Sequence, residues 1–271
     1  MDIQVSLVAS ANRTDWWNRF YNSLKGNKIN WEVIFVGDTP PKNKMPDNFR
    51  WIKATVKPAQ CYELGFRLAK GELIHWTADD ADYMYNGNTD NIDRAYYMYK
   101  KIEKMTGNNR KTVIAMRPVE DGSLNVWDFH HFFGGWHESP VMAPFGLVDR
   151  EMFHELGGYD RRFVSGQSEN DVVMRFLESG GRVEIVMDAY LYVHHHQVHP
   201  RNPKENRFRE WYNTDRQVLE DCWVKEGYGN YEKLNHNVTI SKTRLSPVER
   251  FEDREDICTF TQGLTGRWKN T

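Results

Sequence analysis

The chain has 271 residues, with 36 Lys and Arg against 38 Asp and Glu, a formal net charge of −2. At 39% hydrophobic and 27% charged it reads as a globular protein able to bury a sizeable core, and its near-neutral charge gives no global attraction to nucleic acid or acidic membranes. No apolar run approaches the ~20 residues of a transmembrane helix, the start lacks a signal-peptide pattern, and Cys61, Cys222 and Cys258 are too scattered for a disulfide scaffold or thiolate zinc site, so a cytoplasmic, reducing location is expected.

Residues 3–9 form a β-branched apolar run that predicts a first strand, ending in the polar loop Ser10-Ala11-Asn12-Arg13. A helix follows, with Asp15 as cap candidate and Trp16, Phe20 and Leu24 four residues apart. Residues 31–36 predict a second strand, stopped by Gly37-Asp38-Thr39-Pro40-Pro41, and 49–54 a third. Residues 58–70 are helical and closed by Gly71. A fourth strand over 73–77 runs into Ala78-Asp79-Asp80-Ala81-Asp82. Strands alternating with helices imply a largely parallel sheet covered on both faces. Its ligand should lie beyond the strands' carboxyl ends.

Further on, a long helix is expected over 90–105 and a strand over 112–117. Residues 118–144, rich in Trp, Phe, His and Gly, read as an irregular functional loop. A short helix over 149–156, the turn Gly157-Gly158-Tyr159-Asp160, an amphipathic helix over 168–179 and one or two strands over 182–193 follow. Past Pro203 the chain turns polar. The expected organisation is a domain over 1–203 and an extension over 204–271, helical to about residue 226 and then a poorly defined tail.

Three constellations could carry chemistry. Carboxylates clustered after a strand could hold a hard cation that binds a diphosphate, or simply form a solvated, capping turn. His194, His195, His196 and His199 could ligate a metal or be ordinary solvated histidines. If the strand continues, Tyr190, Tyr192, His194 and His196 share one face. In the helix over 168–179, Ser168 and Asp171 have the spacing of a capping box, and Asp171 can pair with Arg175. At about 100° per residue, Glu169 falls within the arc of Val172, Val173, Phe176 and Leu177, whereas Asp171 points the other way. An inward carboxylate at a helix start marks Glu169 as a site candidate.

Taken in order, these segments resemble a glycosyltransferase of the GT-A fold, family 2 type, over about residues 3–200. Val5-Ser6-Leu7-Val8 with Asn12-Arg13 is similar to the family's opening strand and nucleotide-side loop. Val36-Gly37-Asp38-Thr39 resembles its Val-Asp-Asp-Gly-Ser segment, and Cys61-Tyr62-Glu63-Leu64-Gly65 its Ala-Arg-Asn-x-Gly. Gly71-Glu72-Leu73-Ile74-His75-Trp76 leads to the aspartates as the family's Gly-Glu-Tyr-Ile-x-Phe leads to Asp-x-Asp. Gly157-Gly158-Tyr159-Asp160 with Phe163 is close to Gly-Gly-Phe-Asp-Glu-x-Phe, and 168–175 aligns with Glu-Asp-x-Asp-Leu-x-x-Arg. The chain departs from the pattern at Gly37, Glu63, Ala78, Ser168 and Glu169. The acidic pair is therefore either Asp79-Asp80 or Asp80 with Asp82.

The resemblance implies an α/β GT-A fold and metal-dependent, inverting transfer of a sugar from a nucleotide-diphospho donor, UDP-sugar first, to a glycan or other hydroxyl acceptor. It puts Glu169 on the catalytic-base position. Asn12, Arg13, Asp38, Asp79, Asp80 and Trp136 are implied nucleotide or substrate contacts. Asp80, Asp82, His194 and His196 are implied ligands of Mn²⁺ or Mg²⁺. Trp127, Phe132, Phe133 and Trp136 would form an acceptor wall or a local hydrophobic cluster. Two rivals remain: a GT-A domain that only binds sugar or nucleotide, and a nucleotidyltransferase, which would need a phosphate-cradling loop not evident after the first strand.

Overall fold

The computed structural model describes residues 2–120, 123–124, 143–194, 207–226 and 239–259. Within them a nine-stranded sheet has the order β3-β2-β1-β4-β8-β6-β9-β5, with β7 paired to β6. Its strands are β1 (Val5–Ser10), β2 (Trp31–Gly37), β3 (Phe49–Lys53), β4 (Leu73–Trp76), β5 (Ala81–Asp82), β6 (Thr112–Glu120), β7 (Ser123–Leu124), β8 (Gly146–Asp149) and β9 (Arg182–Val193). The strands β3, β2, β1 and β4 run parallel, as do β6 and β9, while β8 lies antiparallel between β4 and β6. The expected mostly parallel sheet is therefore present. It also holds three short strands that the sequence pattern does not anticipate, β5, β7 and β8. In β8, Gly146 packs so closely on Trp76 that a Cβ there would come within 2.3 Å of the ring. The sixth strand also runs on through Pro118 to Glu120, beyond its expected end.

Helices cover both faces, which is why the strands read as unbroken apolar runs. Val5, Leu7 and Ala9 face one core with Phe35, Ile114 and Met116. This core is closed by α1 (Trp17–Ser23) and α3 (Asn91–Thr106). Val8, Ile34, Val36, Val113 and Ala115 face the other, closed by α2 (Pro58–Leu68), α4 (Arg150–Glu155) and α5 (Ser168–Glu178). The period-2 alternation of a strand thus divides each run between two cores.

Beyond residue 206, α6 (Arg207–Trp223), the two-stranded pair β10 (Val224–Glu226) and β11 (Thr239–Ile240), and α7 (Arg254–Thr259) return to the second core. Leu219, Cys222, Trp223, Phe251 and Ile257 are buried in it beside Phe66 and Val173. Residues 239–259, expected as a poorly defined tail, are packed against the body. Polarity hid this: the segment docks through ion pairs as much as through apolar side chains.

Two expected helix caps differ. The first helix starts at Trp17 with no side-chain cap, and Asp15 pairs with Lys42. At α5 the N-cap is Gln167, held at φ 64°, and Ser168 is already the first helical residue.

Candidate active site

The carboxyl ends of β1, β2 and β4 gather the loops predicted to bind a ligand. Asp79, fully buried just past β4, accepts from the backbone N–H of Asn12 (2.9 Å) and Arg13 (2.7 Å) and from the Trp17 indole (3.3 Å), and it pairs with the Arg13 guanidinium. A buried carboxylate needs such donors. Asp79 therefore holds the loop after β1 in place, and its oxygens are committed to protein groups. Arg13 also reaches Asp80 Oδ1 at 3.2 Å. Asp80 is 1% exposed, yet among the described residues its Oδ2 has no hydrogen-bond partner. A buried, unpaired carboxylate oxygen is costly unless something else supplies a donor or a cation.

Asp38 follows β2 and is exposed, its Oδ1 accepting from the Thr39 hydroxyl at 2.8 Å. The glycine before it has a steric reason: a Cβ on Gly37 would lie 1.9 Å from the Ala11 carbonyl oxygen. The family's aspartate at this position would therefore displace the loop after β1.

Pairing of β5 with β9 brings Asp82 beside the histidine run. The Asp82 carboxylate accepts from Arg19 Nε and the Met84 N–H, both at 2.9 Å. His194 is buried, with Nε2 3.9 Å from Asp82 Oδ2 and its N–H donating to the Asp80 carbonyl at 3.2 Å. Its ring lies against Trp16 and Tyr192, with centroids 4.7 and 4.5 Å away. Asp80, Asp82 and His194 are thus neighbours, but among the described residues no three His, Cys, Asp or Glu side chains are grouped as a metal cage. Asp82 is engaged with Arg19 instead. The expected convergence of these ligands is reduced to the open oxygen of Asp80 with His194 nearby. That sparse donor set fits a cation held chiefly by a diphosphate, the common situation for Mg²⁺. His196, and the acceptor-wall residues Trp127, Phe132, Phe133 and Trp136, lie outside the described residues.

Glu169 occupies the first turn of α5 and is partly exposed. Desolvation lifts its pKa to about 7, and the negative charge of Asp215 adds to this, against hydrogen bonds from the backbone and Ser168. Tyr62 is on α2. Its hydroxyl donates to the Thr77 carbonyl at 2.5 Å, and its pKa is raised by burial, then by the charges of Glu169, Asp79 and Asp80. The charges of Glu169 and of the aspartate cluster thus both act on the Tyr62 hydroxyl.

Asp171 does not cap α5. Its phase carries it away from the sheet, as expected, but there it meets the extension: it is fully buried and accepts from Arg175 Nε (2.9 Å), the Trp223 indole (2.9 Å) and Arg244 Nε (3.0 Å). Glu63, also a departure from the family pattern, is buried and accepts from the Tyr159 N–H and Arg67 Nε. It sits under the Gly157-Gly158 turn, whose φ values are 110° and 68°. A Cβ on Gly158 would come within 2.8 Å of the Glu63 carboxylate. Tyr62, Glu63 and Asp215 all shape the site, and sequence reasoning gave them no role. Tyr62 and Glu63 lie inside a quoted motif. Asp215 has no sequence signal, because its partners are backbone amides.

No family model matches the sequence, and no curated protein resembles it closely enough to count as a match. Solved structures do. GalNAc-T7, solved with UDP, GalNAc and Mn²⁺, superposes with a TM-score of 0.51 at 12% identity, over 71% of this chain and 44% of its own. The 1–349 segment of S. aureus TarS gives 0.53 at 10% identity, over 86% of this chain and 69% of its own. The longer S. aureus TarS gives 0.54 at 12%, over 86% of this chain and 42% of its own.

Proposed function

We propose that the chain, which has the GT-A fold of these glycosyltransferases and spans less than half the length of two of them, is a metal-dependent, inverting glycosyltransferase that moves a sugar from a nucleotide-diphospho donor, UDP-sugar first, to an acceptor hydroxyl. The observation that supports this reading is a carboxylate with a pKa of about 7, Glu169, whose charge acts on the same Tyr62 hydroxyl as the charges of Asp79 and Asp80 at the sheet's carboxyl edge. A general base works best when its pKa lies near the working pH.

In this reading the acceptor hydroxyl gives its proton to the Glu169 carboxylate as its oxygen bonds to the anomeric carbon. The bond from that carbon to the diphosphate breaks on the opposite face, and the diphosphate leaves with the bonding electrons. Asn12, Arg13 and Asp38 border the nucleotide, and Asp79 fixes the loop that carries the first two. Asp80, with His194 or His196, would hold Mn²⁺ or Mg²⁺, whose charge offsets that of the leaving diphosphate. Tyr62, its pKa raised by burial and by these carboxylates, keeps its proton. The decisive experiment incubates the full chain with UDP-sugars and Mn²⁺ and follows release of nucleoside diphosphate with and without candidate glycan acceptors. Release of pyrophosphate from a nucleoside triphosphate supplied with a sugar 1-phosphate would instead favour a nucleotidyltransferase. Binding without turnover, unchanged by acceptor, would favour a binding module.

A further inference from the structure

The segment 164–166 enters α5 without regular structure, and its backbone donors converge on one group. The N–H groups of Val164 (2.7 Å), Ser165 (2.7 Å) and Gly166 (2.8 Å) all donate to the carboxylate of Asp215 on α6. Asp215 is fully buried. Burying a carboxylate is costly unless its lone pairs are filled. Three charge-assisted bonds from consecutive amides fill them and fix the orientation of the peptides that donate. The segment is held from its other side as well, since the Val164 carbonyl accepts from the Ala59 N–H of α2 at 3.0 Å. Glu169 follows Gly166 by a single helical turn. Any displacement of these peptides moves its carboxylate.

We propose that Asp215 is a positioning residue for Glu169: through the 164–166 backbone it sets where α5 begins, and through its charge it sets the environment in which the Glu169 carboxylate ionises. This rests on the reading of Glu169 as the base. Among the described residues, the ionisable groups coupled electrostatically to Glu169 include Asp215 from α6, Tyr62 from α2 and Tyr159 from the turn before α5, with the Ser168 hydroxyl bonded to it. Asp215 is the only one of these three that is an acid of carboxylate strength, so it is the charge that changes when the position is neutralised. Lys57, buried at the N-cap of α2, is the cation that offsets Asp215.

The test compares the full chain with its Asp215→Asn and Asp215→Glu variants. The Glu169 carboxyl is followed by NMR titration of ¹³C-labelled glutamate and assigned by its loss in Glu169→Gln. Transfer is measured in parallel. Asp215→Asn should lower the Glu169 titration from about 7 by the part that the Asp215 charge contributes, with desolvation still holding it above the ordinary glutamate value. Asp215→Glu keeps the charge but not the three-amide geometry, so the titration should stay high while turnover falls by up to about 10²-fold. A folded Asp215→Asn protein with an unmoved titration overturns the proposal, as does Asp215→Glu with normal turnover. If Asp215→Asn does not fold, Asp215→Glu alone decides. Should Glu169→Gln retain transfer, the base reading fails, while the titration still decides whether Asp215 acts on Glu169.

Discussion

The Trp223 indole N–H donates to Asp171 at 2.9 Å, tying the last residue of α6 to the first turn of α5. The same carboxylate pairs with Arg175 and Arg244, and Arg244 pairs with Asp160 as well, so two carboxylates balance two guanidiniums in a buried cluster. Removing one partner of a buried ion cluster strands the others.

Asp171→Asn should therefore destabilise the protein by about 3–5 kcal/mol, seen as a lower denaturation midpoint. At temperatures where the variant stays folded, its turnover should remain near normal, because Asp171 faces away from the cleft. A variant as stable as the parent with turnover abolished would exchange the roles given to Asp171 and Glu169.

Glu169→Gln should reduce transfer by about 10²–10⁴-fold with donor affinity unchanged. Its stability effect depends on pH. The folded-state pKa of about 7 lies above the ordinary glutamate value, so the native state binds more protons between the two values and wild-type stability falls as pH rises through that window. Gln carries no such penalty. The variant should match the parent near pH 4 and exceed it at pH 8 by on the order of 1–3 kcal/mol. Thermal melts at the two pH values check this.

The pH profile of kcat/KM should rise with a limb near 7, since only the ionised base accepts the acceptor proton. A limb near the ordinary glutamate value would mean that Glu169 is solvated in the working enzyme.

Asp80→Ala should weaken UDP binding more in the presence of Mn²⁺ than in its absence, because among the described residues its Oδ2 has no donor and is open to a cation, while its Oδ1 pairs with Arg13. Asp38→Ala should weaken UDP binding with and without metal while changing stability by no more than about 0.5 kcal/mol, as expected of an exposed side chain. Calorimetric titrations of UDP with and without metal separate the two.

Much of this architecture is legible in the sequence because it depends on local pattern. The apolar runs 31–36 and 73–77 are strands covered on both faces. The helical arc through Val172, Val173 and Phe176 is buried, and Glu169 at the start of that helix is partly so. Other features depend on long-range pairing. The four-residue β8 has no periodicity of its own and is defined by the strands on either side. Nothing local in the sequence signals the link between Asp82 and Arg19. The spacing of Asp171 to Ser168 suggests a cap, yet its partners, Trp223 and Arg244, lie 52 and 73 residues away.

That last separation has a consequence for the order of events during synthesis. At about 5–20 residues per second, the interval between adding Asp171 and adding Arg244 is roughly 4–15 s. Through that interval the growing chain holds an acidic helix start without its guanidinium from the extension, and a core face still waiting for Trp223 and Phe251. The candidate base gains its neighbour Asp215 only after the extension has begun to be made. A nascent chain halted near residue 203 would present apolar surface to solvent or to chaperones, and it would have no assembled site with which to consume a donor.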